Sequence, residues 1–408
     1  MNCRFCSTAL TNEFIDLVNS PASNSFLTKN QLNEPETFFP LKVYVCHNCF
    51  LVQIDEYKKS DLIFNSDYVY FSSFSKSWLN HAKAYVEMMI QRFKLDESTK
   101  VVEIASNDGY LLQYFKQSNV PVLGIEPTGN TAEVAIKLGI ETIVDFFGVP
   151  LAKKLKEKRE SPKLILGNNV LAHVPDIVDF VRGIKLLLRK DGVTTMEFPH
   201  LLQLIRLGQF DTIYHEHFSY LSFTVVSKIF EANGLTLFDV EEIPTHGGSL
   251  RIFGKHTENL GIPISANVKK LLLKETKEGI ADISYYKGFE NKAKKIKQDF
   301  VDFLITASRD DKKIIGYGAA AKGNTLLNWC GIKNDVIRFV VDANPSKQHK
   351  YLPGSHIPVV KEEMIRDCRP DYIIIFPWNI QEEVIEQLNY VREWGAKFVI
   401  PVPQLEIK

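Results

Sequence analysis

The densest group of reactive side chains in the sequence is Tyr214-His215-Glu216-His217-Phe218-Ser219-Tyr220. Its His-Glu-His order lacks the i, i+4 histidine pair that places two zinc ligands on one helical face. Imidazoles, a carboxylate and a phenol within four residues suit general acid–base chemistry instead, since a neutral imidazole accepts a proton near pH 7. A polar surface turn is the plain alternative. A second group is the two C-x-x-C pairs, Cys3/Cys6 and Cys46/Cys49. Together they offer four thiolates, the tetrahedral shell that holds a structural Zn²⁺ with no open position. The gap between the pairs exceeds the usual ribbon spacing, so four unrelated buried thiols remain an alternative. Cys330 and Cys368 stand alone and read as small core residues.

Two further stretches have ligand-binding spacing. Val101, Val102 and Ile104 form a β-branched run, followed by Ser106 and the turn Asn107-Asp108-Gly109, then a helix over Tyr110–Gln117. Val122–Ile125 reads as the next strand, and Glu126 sits where doubly wound sheets place an acid against ribose hydroxyls. Only Gly109 of the three dinucleotide-fingerprint glycines is present, and two incidental acids on an ordinary βαβ unit would look similar. The second stretch follows a strand over Lys312–Ile315. Gly316, Gly318 and Ala321 fit G-x-G-x-x-A, Asp342 lies about 20 residues on, and Lys322 opens a helix where it can meet a phosphate. That pattern admits a dinucleotide site or a flavodoxin-like fold without a ligand.

The elements that must position these residues are legible in outline. Lys76–Phe93 carries Trp78, Ala82, Tyr85, Val86, Met89 and Phe93 at helical spacing. After Glu126 come a helix (Thr131–Leu138), a short strand (Glu141–Val144) and Asp145-Phe146-Phe147, an acid and aromatics suited to an adenine. Lys163–Leu166 leads into Gly167-Asn168-Asn169 and on to His173, at a strand end where open parallel sheets bind ligands. Gly192–Glu197 precedes Phe198-Pro199-His200. Thr245–Arg251 reads as a tight turn entering an antiparallel hairpin strand, Leu250–Phe253. Residues 266–306 read as a long connecting helix or helical pair, with acids interspersed among its lysines.

A chain of 408 residues has room for two or three domains. Lys+Arg and Asp+Glu both number 49, which removes the basic footprint of a nucleic-acid binder. No apolar run spans a membrane and the N-terminal stretch has no signal-peptide pattern, so a cytoplasmic protein with reduced cysteines is expected.

Taken together, the chain resembles the sugar C-methyltransferases that act on nucleotide-linked 4-keto-6-deoxy sugars. The resemblance rests on both C-x-x-C knuckles, Tyr-Val-Tyr-Phe-Ser-Ser from Tyr68, Val-Val-Glu-Ile-Ala-Ser-Asn-Asp-Gly from Val101 and Gly-Asn-Asn-Val-Leu-Ala-His-Val-Pro from Gly167. It continues through Glu-Phe-Pro-His, Tyr-His-Glu-His, His-Gly-Gly-Ser-Leu-Arg and Gly-Tyr-Gly-Ala-Ala-Ala-Lys-Gly-Asn in family order. It implies an α/β protein in three parts: a zinc-binding module (1–72), a class I Rossmann-like domain binding S-adenosylmethionine (73–262), and a second Rossmann-like domain gripping the nucleotide sugar (263–408).

The resemblance also implies residue roles. His217 is the base, supported by Glu216 and Tyr214, with His173 and a tyrosine of Tyr68/Tyr70 beside the sugar. Glu103, Ser106, Asn107, Asp108, Gly109, Glu126, Asp145, Phe146 and Asn168 face the methyl donor. Tyr68, Asn169, His200, Arg251, Gly318, Lys322, Asn324 and Asp342 face the acceptor, linked to dTDP or GDP. The implied reaction removes the proton α to the ketone, by family habit at C-3′, and methylates the enolate. The rival reading is an NAD(P)-dependent oxidoreductase using Gly316–Asp342; a non-enzymatic zinc scaffold would have no use for Tyr214–His217. A monomer is expected, with an oligomer left open.

Overall fold

A computed structural model describes residues 1–64 and 68–408. Its first sheet is built by alternation. In Phe39–Val45 the side chains of Leu41, Val43 and Val45 are buried while their neighbours are not, the period of a half-buried strand. This strand pairs antiparallel with Asn12–Ser20 on one side and Val52–Ile54 on the other. The far edge of Val52–Ile54 is taken by Ser219–Tyr220, from much later in the chain, with Val52 opposite Tyr220 and Gln53 opposite Ser219. The zinc-module sheet is therefore completed by the residues that directly follow His217.

The central sheet runs in the order Leu235–Ile243, Ser249–His256, Val193–Pro199, Leu164–Asn168, Val101–Ile104, Val122–Ile125, Thr142–Ile143. Its strands are parallel except Ser249–His256, which pairs antiparallel with both neighbours. The chain leaves Val101–Ile104 towards one edge and later returns to its other side at Leu164–Asn168. That reversal opens a crevice at the strands' C-terminal ends. Lys76–Phe93 begins where Ser75 Oγ accepts the Trp78 amide, and it buries Ala82, Tyr85, Val86 and Met89. The helix after the first strand spans Leu112–Gln117, so the turn before it reaches further than Tyr110.

The expected connector is three helices, Ala266–Glu278, Ile283–Tyr286 and Phe289–Arg309, broken at Gly279 and Gly288, whose φ of +99° and +97° suit glycine. The last sheet is ordered Val359–Val360, Val340–Val341, Ile314–Tyr317, Tyr372–Ile375, Lys397–Ile400, Glu406–Ile407. It is parallel apart from its final strand. After the strand Tyr372–Ile375 a helix, Gln381–Gln387, is followed by a 3-10 stretch, Asn389–Trp394.

The zinc module bridges the two larger units. Phe14, Leu41, Val43 and Ile54 share one core with Phe289, Ile315 and Val341, and Phe14 stacks on Phe289 with centroids 4.4 Å apart. Cys3, Cys46, Cys49 and Leu51 instead pack into the core of the central sheet. Among the described residues no helix is long and apolar enough to cross a membrane.

Candidate active site at the junction of three units

The four cysteines of the knuckles converge: their sulfurs all lie within 4.8 Å of one another, with Cys3–Cys49 and Cys6–Cys46 each at 3.5 Å. Buried, mutually close thiols fit a tetrahedral thiolate-bound metal. Gln53 ties this cluster to the sheet, donating from Nε2 to Cys3 Sγ at 3.2 Å and accepting the Arg4 amide at 2.9 Å. Gln53 also pairs across the sheet with Ser219, two residues beyond His217.

At the crevice of the central sheet, polar atoms are left without partners. Both carboxylate oxygens of fully buried Glu103 lack a hydrogen bond, as do Ser106 Oγ and both amide atoms of Asn168. Burial raises the Glu103 carboxyl well above its ordinary range, with Glu126 and Asp108 adding to it. Orphan buried groups at this position fit a polar donor molecule, since such groups are costly unless something pairs with them. Glu126 is pinned rather than open. Oε2 accepts the Asn107 amide at 2.8 Å and Oε1 the Thr128 amide at 2.9 Å. Asn107 and Asp108 also hold the segment 72–73: Asn107 Oδ1 accepts from the Ser72 amide at 2.9 Å and Asp108 Oδ2 from the Ser73 amide at 3.1 Å, while Asp108 Oδ1 is buried without a partner. Gly109 has φ +79°, and a Cβ there would collide with Ile140 and crowd Ala135. Glycine is therefore required there for close packing of the turn. Asp145 and Phe146 are exposed, and Asp145 borders a cleft of about 470 Å³ with Ile143 and Lys154, a cleft that neither Glu103 nor His217 lines.

The acid–base group is gathered by a short turn, Phe210–Thr212. His217 Nδ1 faces the Thr212 carbonyl at 2.8 Å and Nε2 faces Tyr214 Oη at 2.9 Å. A carbonyl only accepts, so Nδ1 carries the proton and Nε2 presents its lone pair, with Tyr214 O–H donating to it. The ring meets His173 edge-on at 4.6 Å. Burial holds His217 well below the usual imidazole range, helped by His173, Lys322 and His246. It lowers His173 to about 4, so both rings are neutral near pH 7. Glu216 is buried and raised to about 7; it accepts from Asn24 Nδ2 at 2.7 Å and has Tyr68 as a neighbour. Tyr70 is 44% exposed and stays on the rim, its carbonyl held by Asn107 Nδ2.

Two expected acceptor contacts are committed elsewhere. His200 is buried against Glu275 at 2.6 Å, and Glu275 also accepts the Phe223 and Thr224 amides at 2.7 Å each. That pair caps the helix Phe223–Ala232 and faces the connector, not an acceptor. Arg251 is locked between Glu197 (2.6 Å) and Glu241 (2.9 Å). It supports Glu197, which in turn bonds His81 at 2.8 Å. Asn169 remains in the site, at φ +55°, with Nδ2 3.1 Å from His246 Nε2.

The glycine loop of the last sheet is satisfied internally. The Gly318, Ala319 and Ala320 amides donate to Val341 O, Asp342 Oδ2 and Gly318 O, at 2.7, 2.7 and 2.8 Å. Asp342 also accepts the Asn344 amide at 2.8 Å and lies 3.5 Å from Lys347. A Cβ at Gly318 would press on Pro377 at 2.5 Å. Asn324 is buried and donates to Ser23 O at 2.6 Å. A pyrophosphate or nicotinamide cofactor would have to displace these bonds, which removes the main support for an oxidoreductase.

Several site residues escape the sequence. Trp78, assigned to a core stripe, stacks on His81 at 4.8 Å and meets His246 at 5.3 Å. His246, assigned to a hairpin turn, sits at φ +54°, a backbone state that non-glycine residues adopt where the fold enforces it. Asp211, Trp378 and Asn24 carry no motif. Only the glycines after His246 hinted that this turn is unusual.

Comparison with known proteins fits this geometry. Residues 3–64, 78–240 and 244–403 match family models of a zinc binding domain, a methyltransferase domain and a C-methyltransferase C-terminal domain. C-methyltransferase NovU of Streptomyces niveus is 33% identical over 402 residues, 98% of this chain and 95% of NovU. Among solved structures, PH0226 protein from Pyrococcus horikoshii OT3 aligns with TM-score 0.39 and 14% identity, over 46% of this chain and 95% of that one. Magnesium protoporphyrin IX methyltransferase ChlM from Synechocystis PCC 6803, with bound SAH, aligns with TM-score 0.35 and 14% identity over 43% and 82%. The protein is thus an S-adenosylmethionine-dependent methyltransferase with a zinc-binding module. Aligned with NovU almost end to end, it belongs to the C-methyltransferase family.

Proposed function

We propose that the carbon methylated is the one α to the ketone of a nucleotide-linked 4-keto-6-deoxy sugar, at C-3′, with dTDP or GDP as the nucleotide. The observation that carries this reading is His217: a neutral imidazole with its lone pair on Nε2, set where the central crevice meets the other two units. Methylating carbon needs a carbanion equivalent, and a ketone makes the neighbouring C–H acidic enough for an imidazole base. S-adenosylmethionine supplies the electrophilic methyl. Glu103, Ser106 and Asn168 hold its polar parts, and Glu126 orients towards its ribose from a carboxylate fixed by the turn amides. Asp145 and Phe146 lie towards its adenine.

Tyr214 swings its O–H off Nε2 and the freed lone pair takes the α-proton, after which Tyr214 Oη can accept from the new N–H; His173 shields the base from water and Glu216 fixes the segment through Asn24 and Tyr68. Asn169 and Tyr68 face the sugar, and Tyr70 closes the rim. The division 1–72, 73–262 and 263–408 separates metal, donor and acceptor functions, in a cytoplasmic enzyme of deoxysugar biosynthesis. Incubation with S-adenosylmethionine and dTDP-, GDP- or CDP-linked 4-keto-6-deoxy sugars, followed by mass spectrometry, tests the reading. A product heavier by one methyl on carbon supports it; no product from any of the three overturns it.

A further inference from the structure

Among the described residues Lys322 is a cation with no ion pair, the carboxylate of Asp211 acting on it only from beyond contact distance. It stands in the first turn of the helix Ala321–Cys330 and is partly buried. Its Nζ donates to Asn379 Oδ1 at 2.9 Å and lies 4.2 Å from the Trp378 ring centroid. Among the described residues it forms no ion pair, whereas Lys347 on the same unit lies 3.5 Å from Asp342. An ammonium whose direct contacts are a neutral amide and a ring face, with Asp211 too far away to pair with it, still favours an anionic visitor.

Its surroundings place that visitor beside the base. One turn along the same helix, Thr325 Oγ1 donates to the Ile213 carbonyl at 2.9 Å. Trp378 Nε1 donates to Asp211 Oδ2 at 2.6 Å. The next residue, Thr212, gives the carbonyl that holds His217 Nδ1. Lys322 and His217 are thus registered by one short turn, approached from two units. On the other wall, Trp378 packs so tightly on Gly247 that a Cβ there would collide with its ring, bringing Lys322 to the His246 turn as well. The Lys322 charge depresses both His217 and His246. Burial in turn brings Lys322 down to about 8, with Asp211 opposing.

We propose that Lys322 acts on the reacting ketone rather than on the diphosphate: its ammonium stabilises the enolate oxygen that forms when His217 removes the α-proton. The inference rests on the ketone acceptor proposed above. In the step, the C–H electron pair becomes the C=C bond, the carbonyl π pair moves to oxygen, and the proton passes to His217 Nε2. The oxygen's new charge faces Lys322. When the carbon then bonds the methyl, the S–CH₃ pair stays on sulfur, the C=O re-forms and the proton leaves His217 for solvent. A fixed donor aimed at developing charge acts more strongly in the transition state than in the ground state. The glycine loop beside Lys322 has already spent its amides, which leaves little there to cradle a diphosphate.

Lys322→Met keeps length and removes charge; Lys322→Gln keeps polarity and guards against a packing defect. The readouts are deuterium uptake from D₂O into the acceptor without donor, kcat and KM for the acceptor, and calorimetric binding of S-adenosylhomocysteine as a check of fold. Both variants should lose about 10² to 10³-fold in exchange and in kcat, the span for one such donor, with KM changed little and S-adenosylhomocysteine bound normally. Wild-type kcat should fall as pH rises through about 8, where Lys322 loses its proton, and that limb should be missing from the variants' residual activity. Asp211, His217 and His246 also face this cation, and they persist in both variants, so only the Lys322 limb is removed. A raised KM with exchange and kcat intact would assign Lys322 to the diphosphate and overturn the proposal. Wild-type exchange with unaffected variants overturns it alone; no wild-type exchange overturns the ketone reading and this inference together.

Discussion

The protein contains two doubly wound sheets that end differently. At the crevice of the central sheet, Glu103, Ser106 and Asn168 bury polar atoms for which the described residues offer no well-formed hydrogen bond, with the Tyr110 phenol beside Glu103 and Asn168. At the matching end of the last sheet, Asp342 and the Gly318–Ala320 amides satisfy one another. Shared topology therefore does not mean shared ligand chemistry. A strand end is prepared for a polar molecule where buried donors and acceptors are left over; where they are paired, the loop is structural. On the proposal above the last sheet contributes Lys322, carried on the helix behind its loop, while the zinc module pairs a strand with Ser219–Tyr220.

That comparison breaks most completely if the metal is removed. Stripping zinc should disorder the knuckles, release Gln53 and Val52–Ile54, and so loosen the base segment. Structural zinc typically contributes more than 10 kcal/mol to such modules. Turnover should fall to background and the melting temperature should drop sharply, while metal analysis of untreated protein gives one zinc per chain. Full activity in zinc-free protein would show that the module does not hold His217.

The next largest effect is expected from the base. His217→Asn keeps a hydrogen-bonding group near Thr212 O and Tyr214 but removes the lone pair of a base. Turnover should fall about 10² to 10⁴-fold, with both substrates still bound, and deuterium uptake beside the ketone should stop. Normal uptake in this variant would move the base to His173 or Tyr214.

Glu126→Ala sharpens the contrast from the donor side. It removes a carboxylate that orders the Asn107 turn and is proposed to meet the ribose. Two charge-assisted bonds are together about 3 kcal/mol, near a hundredfold in affinity. Calorimetry with S-adenosylhomocysteine measures this, and an unchanged dissociation constant would take Glu126 out of the donor site.

How much of this was legible in the sequence depended on range. The β-branched run Val101–Ile104 and the apolar stripe of Lys76–Phe93 announce their elements because their periods are local. The four cysteines were legible because zinc demands a fixed ligand set. The pairing of Ser219–Tyr220 with Val52–Ile54, and Asn24 meeting Glu216, join residues far apart in the chain and have no local signature. Nor does a motif say whether its atoms are free. His200 and Arg251 read as ligands until Glu275 and Glu197 are seen to occupy them. Asp342 fits the ribose position of a dinucleotide fingerprint, yet its oxygens are taken by Ala319 and Asn344.

The smallest predicted effect tests that last point. Asp342→Ala leaves the Ala319 and Asn344 amides without their acceptor and Lys347 without its counter-ion. Unpaired groups of this kind cost about 1–3 kcal/mol each when buried, and Ala319, Asn344 and Lys347 are buried, so a drop in melting temperature is expected with little change in donor binding. S-adenosylhomocysteine should bind as before, because Asp342 lies on the other sheet. NAD(H) should produce no thermal shift in wild type or variant, since a ligand raises stability only by binding the folded state. A wild-type shift with NAD(H) that disappears in Asp342→Ala would mean that the second crevice opens for a dinucleotide after all. A loss of acceptor affinity without any loss of stability would place the acceptor's ribose on Asp342. In either case the loop's internal bonds would be exchanged on binding, and the two sheets would differ in readiness rather than in kind.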